Sequence, residues 1–287
     1  MNALGFSERV RFMAYAGLVG MFLFSGLCQG AEIRGPASEP KAGAPSKEQP
    51  SPQQPCPLGT GLREETASII LKYKEHPGMV MAPSAEQAAE VFPQIPGWLR
   101  VLGAPSLPML KEAAQVGREK AIPYEALGYG LETGKSTPEE EWQDMIGSTR
   151  QAKALADQVG KQLLMGPGFR LMSQNEDKYV PMTALSQVWV FQTQRYQMDP
   201  PGDQYRKNVE ATVKKIKEGN PKIIIWAQIT FPPFKEPNAE EWLAYRRCIT
   251  DVVDGAYVGA YTWDQYGEQL PKAIQTIFQE VYDKPSK

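Results

Sequence analysis

Two acidic residues stand where predicted strands run out, and each follows small residues on one strand face. The first, Glu132, comes after Gly128 and Gly130 at the period of two that a strand imposes on its side chains. The second is Asp264, which follows the small residues of a later strand face: Ala256, Val258 and Ala260. Small residues leave room in front of a carboxylate. The spacing therefore predicts a pocket rim with Glu132 and Asp264 as candidate catalytic residues.

Two carboxyl groups that face one pocket can cleave a glycosidic bond. One protonates the leaving oxygen, while the other attacks the sugar or activates water. Aromatic faces that stack on sugar rings belong to the same chemistry. Four aromatic residues near the predicted strand ends are candidates for substrate binding: Tyr129, Trp226, Tyr261 and Trp263. The alternative is that both acids are solvated loop residues or helix N-caps, and the sequence leaves it open.

The stretch VWVFQTQRYQ, residues 188–197, predicts a strand that changes from apolar to hydrogen-bonding residues along its length. Its faces are Val188, Val190, Gln192 and Gln194 on one side and Trp189, Phe191, Thr193 and Arg195 on the other. A third amide, Gln228, lies near the end of the next predicted strand. Amides donate and accept hydrogen bonds but are not general acids or bases near neutral pH. These residues are at least as consistent with a sugar-binding surface as with a catalytic one.

A nucleotide-binding loop is the tempting interpretation of GYGLETGKST, but the spacing excludes it. A phosphate loop needs a glycine five positions before Gly134, and Tyr129 stands there. The residues from Thr137 onward, T-P-E-E, predict a capped helix start instead. The single histidine, His76, precedes Pro77 and Gly78 in an apparent turn, which argues against a histidine-based metal site or a Ser-His-Asp triad. No cofactor and no metal are predicted.

The N-terminus has the pattern of an export signal, and a proline-rich segment follows it. Arg9 and Arg11 precede an uncharged apolar run over residues 12–27, which is short for a membrane span. Leu27 directly before Cys28 makes lipid attachment the weaker alternative. We expect residues 1–30 to be a signal peptide, residues 31–59 a disordered linker, and the mature chain to be secreted or periplasmic with no membrane span.

Composition excludes global disorder and argues against a nucleic-acid role. Of the 287 residues 42% are hydrophobic, so a folded core is expected, and the net charge of −2 comes with no basic block that would suit nucleic acid.

After export, Cys56 and Cys248 remain. In an oxidising compartment they could pair, or they could stay as two free thiols, and both alternatives are open at this point.

Short apolar runs alternate with helical patterns from about residue 60 to the C-terminus. The predicted strands are 78–83, 124–132, 162–168, 187–194, 222–230 and 255–263, and residues 95–121 have room for a further unit. Ser84, Thr137 and Asn238 each begin a helix with an acceptor side chain and a Glu or Gln three residues later. The alternation predicts one α/β domain over residues 60–287, a (β/α)8 barrel of the TIM type that could be irregular.

The segments GYGLETGKSTPEEE, LLMGPGFR, VWVFQTQRYQMDP, NPKIIIWAQIT and DGAYVGAYTW resemble a group of exported (β/α)-barrel proteins that are distantly similar to glycoside hydrolases. The resemblance spans roughly residues 75–264. It implies a barrel, a link to carbohydrate, and a pocket close to six polar residues: Glu132, Arg170, Gln192, Gln194, Arg195 and Gln228. The chain lacks the D-x-x-D-x-D-x-E signature of chitinase-like barrels, so no particular reaction is implied.

Two functions are compatible with these observations. The chain could be a glycoside-hydrolase-like enzyme acting on an extracellular or envelope polysaccharide. Alternatively, it could be a catalytically inactive barrel that binds a glycan or another envelope component. A pocket with two facing carboxyl groups would favour hydrolysis, and a single Glu132 among glutamines would favour binding.

Overall fold

The structure is a computed structural model that describes residues 56–134, 136–232, 235–260 and 266–284. The predicted signal peptide and residues 31–55 of the predicted linker lie outside these ranges. So do Tyr261, Trp263 and Asp264. Within the described ranges, no helix is both long enough and apolar enough to cross a membrane.

Eight parallel strands form a closed barrel, in which each strand pairs with the next along the chain and the last pairs with the first. They are β1 Leu58–Gly61, β2 Gly78–Ala82, β3 Trp98–Ala104, β4 Ala126–Tyr129, β5 Gln162–Met165, β6 Val188–Gln192, β7 Ile224–Phe231 and β8 Gly255–Ala260. Because every pair is parallel, the carboxyl ends of all strands meet at one mouth of the barrel. The predicted (β/α)8 barrel of the TIM type is confirmed.

Helices connect the strands around the outside of the barrel. They are α1 Glu64–Lys72, α2 Ala85–Val91, α3 Leu107–Glu119, α4 Glu139–Gln143, α5 Met145–Gln158, α6 Phe169–Gln174, α7 Tyr179–Thr183, α8 Asp203–Gly219, α9 Ala239–Arg247 and α10 Gln269–Tyr282. Ser84 and Asn238 cap α2 and α9 as predicted, since each side chain accepts a backbone N–H of the first turn. The predicted cap at Thr137 is wrong: Pro138 precedes α4, and the buried Thr137 hydroxyl donates to the Pro105 carbonyl at 2.8 Å.

Apolar side chains pack in two layers separated by the strands. The barrel interior is filled by Met79, Val101, Ala126, Leu164, Val188, Val190 and Trp226. A larger layer, which includes Leu127, Trp189 and Ile225, lies between the strands and the helices. Strands buried on both faces need apolar residues at nearly every position, as the sequence shows. The alternation between the two layers decides which residue of each strand end reaches the mouth.

The alternation predicted for β6 is confirmed, and the one predicted for β8 is wrong. In β6, Val190 belongs to the interior layer and Phe191 to the outer layer. In β8, Ala256 and Val258 belong to the outer layer, while Tyr257 packs against the interior residues. The small residues of β8 therefore pack toward the helices. They do not open a space in front of a carboxylate.

Strands β1 and β3 are the elements that the sequence did not show outright. β1 begins at Leu58, so the barrel starts two residues before the boundary predicted at residue 60. Its sequence, LGTG, looks like a turn because of its glycines. A Cβ added at Gly59 would lie 3.0 Å from Cδ2 of Tyr257 and 3.2 Å from Cβ of Met79, so the neighbouring strands leave little space for a side chain. β3 lies within residues 95–121, the segment that is long enough for a further strand–helix unit.

The two cysteines of the barrel are free thiols. Cys56 is buried beside β1, and this burial raises the pKa of its thiol to about 11. The Cys248 thiol, at the end of α9, donates to the Ala244 carbonyl at 3.3 Å. Of the two alternatives that the sequence left open, the structure contains the unpaired one.

Candidate functional site

The carboxyl ends of the strands surround a cavity of about 440 Å³, called the central pocket below. The wall formed by β3, β4 and the residue after β5 is lined with glycines: Gly103, Gly128, Gly130 and Gly166. Five polar residues also line the cavity: Arg63, Glu132, Gln192, Gln228 and Tyr257. A Cβ added at Gly103 or Gly128 would lie 2.7 Å from the Met81 side chain or 2.8 Å from the Val101 side chain, so these two glycines accommodate their neighbours. Gly166 has no such close neighbour and leaves its backbone open to close approach.

Glu132 lies in the central pocket, three residues beyond the end of β4, as predicted from its face with Gly128 and Gly130. The residue before it, Leu131, has a φ of +34°, which is unusual for a branched side chain, and it is fully buried. Residues held in such a conformation are over-determined by their surroundings. The backbone that carries Glu132 is therefore held in place by the packing of its neighbour.

Gln192 links Glu132 to the other side of the pocket. Its side-chain NH₂ group donates to Oε1 of Glu132 at 2.9 Å. Its side-chain oxygen accepts the backbone N–H of Phe169 at 3.1 Å and the NH₂ group of Gln194 at 3.3 Å. One amide thus joins the segment after β4, the start of α6 and the segment after β6.

Gln228 and Gln194 differ in their relation to the pocket. Gln228 stands next to Gln192 in the register of β6 and β7, lines the central pocket, and donates to the hydroxyl of Thr230 at 3.3 Å. Gln194 does not line the central pocket, and it reaches the site through its contact with Gln192. Gln228 therefore lines the pocket directly, whereas Gln194 is connected to the pocket only through its hydrogen bond to Gln192.

The sequence did not single out Tyr257 and Arg63, and both line the central pocket. Burial raises the pKa of the Tyr257 phenol, and the positive charge of Arg63 opposes that effect. Tyr257 was missed because the opposite face of β8 was taken as the inner one. Arg63 was missed because β1, which it follows, was not identified. The alternation in β8 contained a signal for Tyr257. The face opposite the small residues carries this large aromatic side chain, which can fill a barrel mouth.

Three predicted binding residues besides Gln194 lie away from the central pocket. Trp226 is in the interior layer below it and is 4% exposed, so its ring offers no open face. Arg170 is exposed on α6. Arg195 forms an ion pair with Glu176 at 3.6 Å and lies 4.6 Å from the centre of the Tyr196 ring. These positions do not bring the two arginines together with Glu132.

Tyr129 lines the central pocket, but its side chain has a structural partner. Its ring is fully buried in the outer layer, and its hydroxyl donates to Oε2 of Glu141 at 2.6 Å. The same carboxylate accepts the backbone N–H of Leu107 at the start of α3, at 3.0 and 3.1 Å to its two oxygens. Burial, and then the neighbouring Glu141, raise the pKa of the Tyr129 phenol. This ring is not available for stacking on a ligand.

Glu132 is the only carboxylate that lines the central pocket within the described part of the chain. Asp264, Tyr261 and Trp263 lie outside that part, so the predicted pairing of two acids stays a prediction. No group of three or more histidine, cysteine, aspartate or glutamate side chains that could hold a metal ion occurs among the described residues. The described site offers one carboxylate, two amides, one phenol and one guanidinium.

Comparison with solved structures finds distant structural neighbours at low sequence identity. The endo-1,4-β-D-mannanase from Thermotoga petrophila matches with a TM-score of 0.54 at 8% sequence identity, over 80% of this chain and 100% of that chain. The glycoside hydrolase family 17 β-1,3-glucanosyltransferase from Rhizomucor miehei has a TM-score of 0.47 at 11% identity, over 71% of this chain and 85% of that one. An archaeal fructose-1,6-bisphosphate aldolase has a TM-score of 0.47 at 14% identity, over 79% and 94% of the two chains.

At these identities the likeness concerns the fold alone. No protein-family model matches the chain, and no curated protein matches its sequence. The mannanase barrel is a structural neighbour of this chain, in agreement with the barrel fold predicted from the sequence.

Proposed function

We propose that the chain is an exported, glycoside-hydrolase-like barrel whose central pocket binds a saccharide unit of an extracellular or envelope polysaccharide. The observation that carries this proposal is the convergence of Glu132, Gln192, Gln228 and Tyr257 on one cavity at the carboxyl ends of the strands. The export signal in the sequence is the reason for placing the polysaccharide outside the cytoplasm.

The hydrogen-bonding groups of the pocket suit a ligand rich in hydroxyl groups. Among the described residues, Oε2 of Glu132 and the side-chain oxygen of Gln228 have no hydrogen-bond partner, so both can accept from a hydroxyl. Tyr257 supplies a phenol that both donates and accepts, together with a partly exposed ring. A saccharide presents several hydroxyl groups around a compact ring, which matches this arrangement.

Hydrolysis is the second candidate function, and the placement of Glu132 favours it. Its carboxylate stands at the carboxyl end of a barrel strand with one oxygen held and the other open, as a general acid or a nucleophile requires. A second carboxyl group about 5 to 10 Å away would complete a glycosidase pair. We propose Asp264 for that role, because it follows β8 by four residues in the sequence.

The test measures binding first. The chain from residue 31 onward is titrated with soluble polysaccharides, including a β-1,4-mannan chosen for the mannanase of similar fold. Glu132→Gln is expected to weaken binding by about 5- to 30-fold, because one charged hydrogen bond becomes neutral. Glu140→Gln is the matched control: it makes the same change on an exposed residue of α4 and should leave affinity unchanged. If wild type retains none of the polysaccharides, the proposal is wrong.

Release of reducing ends separates the two functions. If the chain is a hydrolase, Glu132→Gln and Asp264→Asn should each lower the rate by about 10²- to 10⁴-fold, since each would remove an acid or base. Binding without release of reducing ends would support the binding function and exclude the hydrolytic one for the polysaccharides tested.

A further inference from the structure

The amide of Gln192 is fixed in one orientation. An amide side chain can rotate by half a turn and exchange its oxygen with its NH₂ group, unless its partners distinguish the two. Here the oxygen faces two N–H donors, the backbone of Phe169 and the side chain of Gln194. Rotation would bring the NH₂ group against the backbone N–H of Phe169 and the amide oxygen against the carboxylate of Glu132. The NH₂ group therefore has to point toward Glu132.

This orientation also settles how Glu132 is held. Oε1 of Glu132 accepts from Gln192 at 2.9 Å. Oε2 has no partner among the described residues, so it is the oxygen left for a ligand. The Glu132 side chain also lies against Gly168, where an added Cβ would come 3.3 Å from its Cγ. The backbone N–H of Gly168 in turn donates to the carbonyl of Leu131 at 3.2 Å.

We propose that Gln192 is a positioning residue: it holds Glu132 so that the second carboxylate oxygen faces the ligand. The inference rests on the proposed function of the central pocket. It assigns Gln192 a role in addition to the direct contact expected from the sequence. The oxygen of the Gln192 amide accepts from two protein groups, and one of its two N–H donors is held by Glu132.

Gln192→Glu tests this role with little change in shape. The variant keeps an oxygen that can accept from Phe169 and Gln194, but it replaces the donor toward Glu132 with a second carboxylate. Combining Gln192→Glu with Glu132→Gln restores the hydrogen bond with donor and acceptor exchanged. Gln187→Glu is the matched control at the other end of β6: its oxygen accepts the Leu163 N–H at 2.9 Å, and its NH₂ group has no partner among the described residues.

The first readout is thermal unfolding without ligand, at about pH 4 and about pH 7. Gln192→Glu should lower Tm more at the higher pH, where two adjacent carboxylates both ionise and repel each other. The double variant should remove this pH-dependent loss, and Gln187→Glu should not show it. Equal losses at both pH values, or a loss that persists in the double variant, would show that Gln192 does not contact Glu132 and would overturn the proposal.

The second readout is affinity for the polysaccharide that wild type retains. Gln192→Glu should weaken binding by about 10-fold, and the double variant should recover part of that loss. An unchanged affinity in Gln192→Glu, with the melting behaviour as expected, would overturn the positioning role. If wild type binds no polysaccharide, the proposed function falls and the positioning role with it, while the melting data still report whether the contact exists.

Discussion

Two glutamates nine residues apart, Glu132 and Glu141, have opposite surroundings. Glu132 is exposed in the central pocket with one oxygen open. Glu141 is 6% exposed, and its oxygens accept from the Tyr129 hydroxyl and the Leu107 N–H. A buried carboxylate with good donors holds its neighbours in place, whereas an open one is free for a ligand. Glu141 therefore contributes to stability, whereas Glu132 is left open to a ligand.

Replacing Glu141 should destabilise the barrel. Glu141→Ala leaves a buried phenol and a buried backbone N–H without their acceptor, which we expect to cost about 2 to 5 kcal/mol. The measurement is chemical unfolding, with Glu139→Ala as the control, an exposed residue on the same short helix. A loss no larger than that of the control would mean that the buried hydrogen bonds contribute little.

Tyr129 should make the protein sensitive to alkaline pH. Because burial and Glu141 raise the pKa of its phenol, the folded state favours the neutral form. Its contribution is fully present below the unfolded pKa of about 10 and is lost as the pH rises above that value. Tyr129→Phe should therefore lose less stability than wild type between about pH 9 and about pH 11. Unfolding free energies of both proteins across this range would check it, and parallel curves would contradict it.

At the scale of elements, the strands were predictable where both periodicity and length were clear. The alternation of VWVFQ gave the two faces of β6 correctly, and the caps of α2 and α9 were visible as side-chain acceptors at fixed spacing. β1 was not predictable, since LGTG has little apolar content and its glycines are explained only by contacts with Tyr257 and Met79. Which face of β8 points inward depended on such contacts too.

The orientation of β8 can be tested by neighbouring substitutions. Val258 is fully buried in the outer layer, so Val258→Ala should cost about 2 kcal/mol of stability and leave polysaccharide affinity unchanged. Tyr257→Phe removes only the phenol oxygen in the pocket, so it should weaken binding by a few-fold with little change in Tm. The reverse pattern, with Val258→Ala impairing binding and Tyr257→Phe impairing stability, would show that Val258 faces the pocket, as the sequence predicted.

At the scale of the whole molecule, the barrel closes through its first strand. β1 pairs with β2 on one side and with β8 on the other. Helices reinforce the closure: the Arg246 guanidinium on α9 donates to the Cys56 carbonyl, and the Tyr282 hydroxyl on α10 accepts the Leu58 N–H at 2.9 Å. Four residues that resemble a linker thus join the two ends of the sheet.

This closure predicts where the chain can be shortened. A chain that begins at residue 56 retains β1 and should melt within a few degrees of the chain that begins at residue 31. A chain that begins at residue 62 loses β1, together with the fully buried side chains of Leu58 and Thr60, and leaves β2 and β8 with unpaired edges. Its Tm should fall by more than about 10 °C, or it should not fold, since a lost strand costs several kcal/mol. Circular dichroism melts and size-exclusion profiles of the three chains measure this. Equal melting temperatures of the chains that begin at 56 and 62 would show that the barrel does not need its first strand. Residues 58–61 would then be part of the linker.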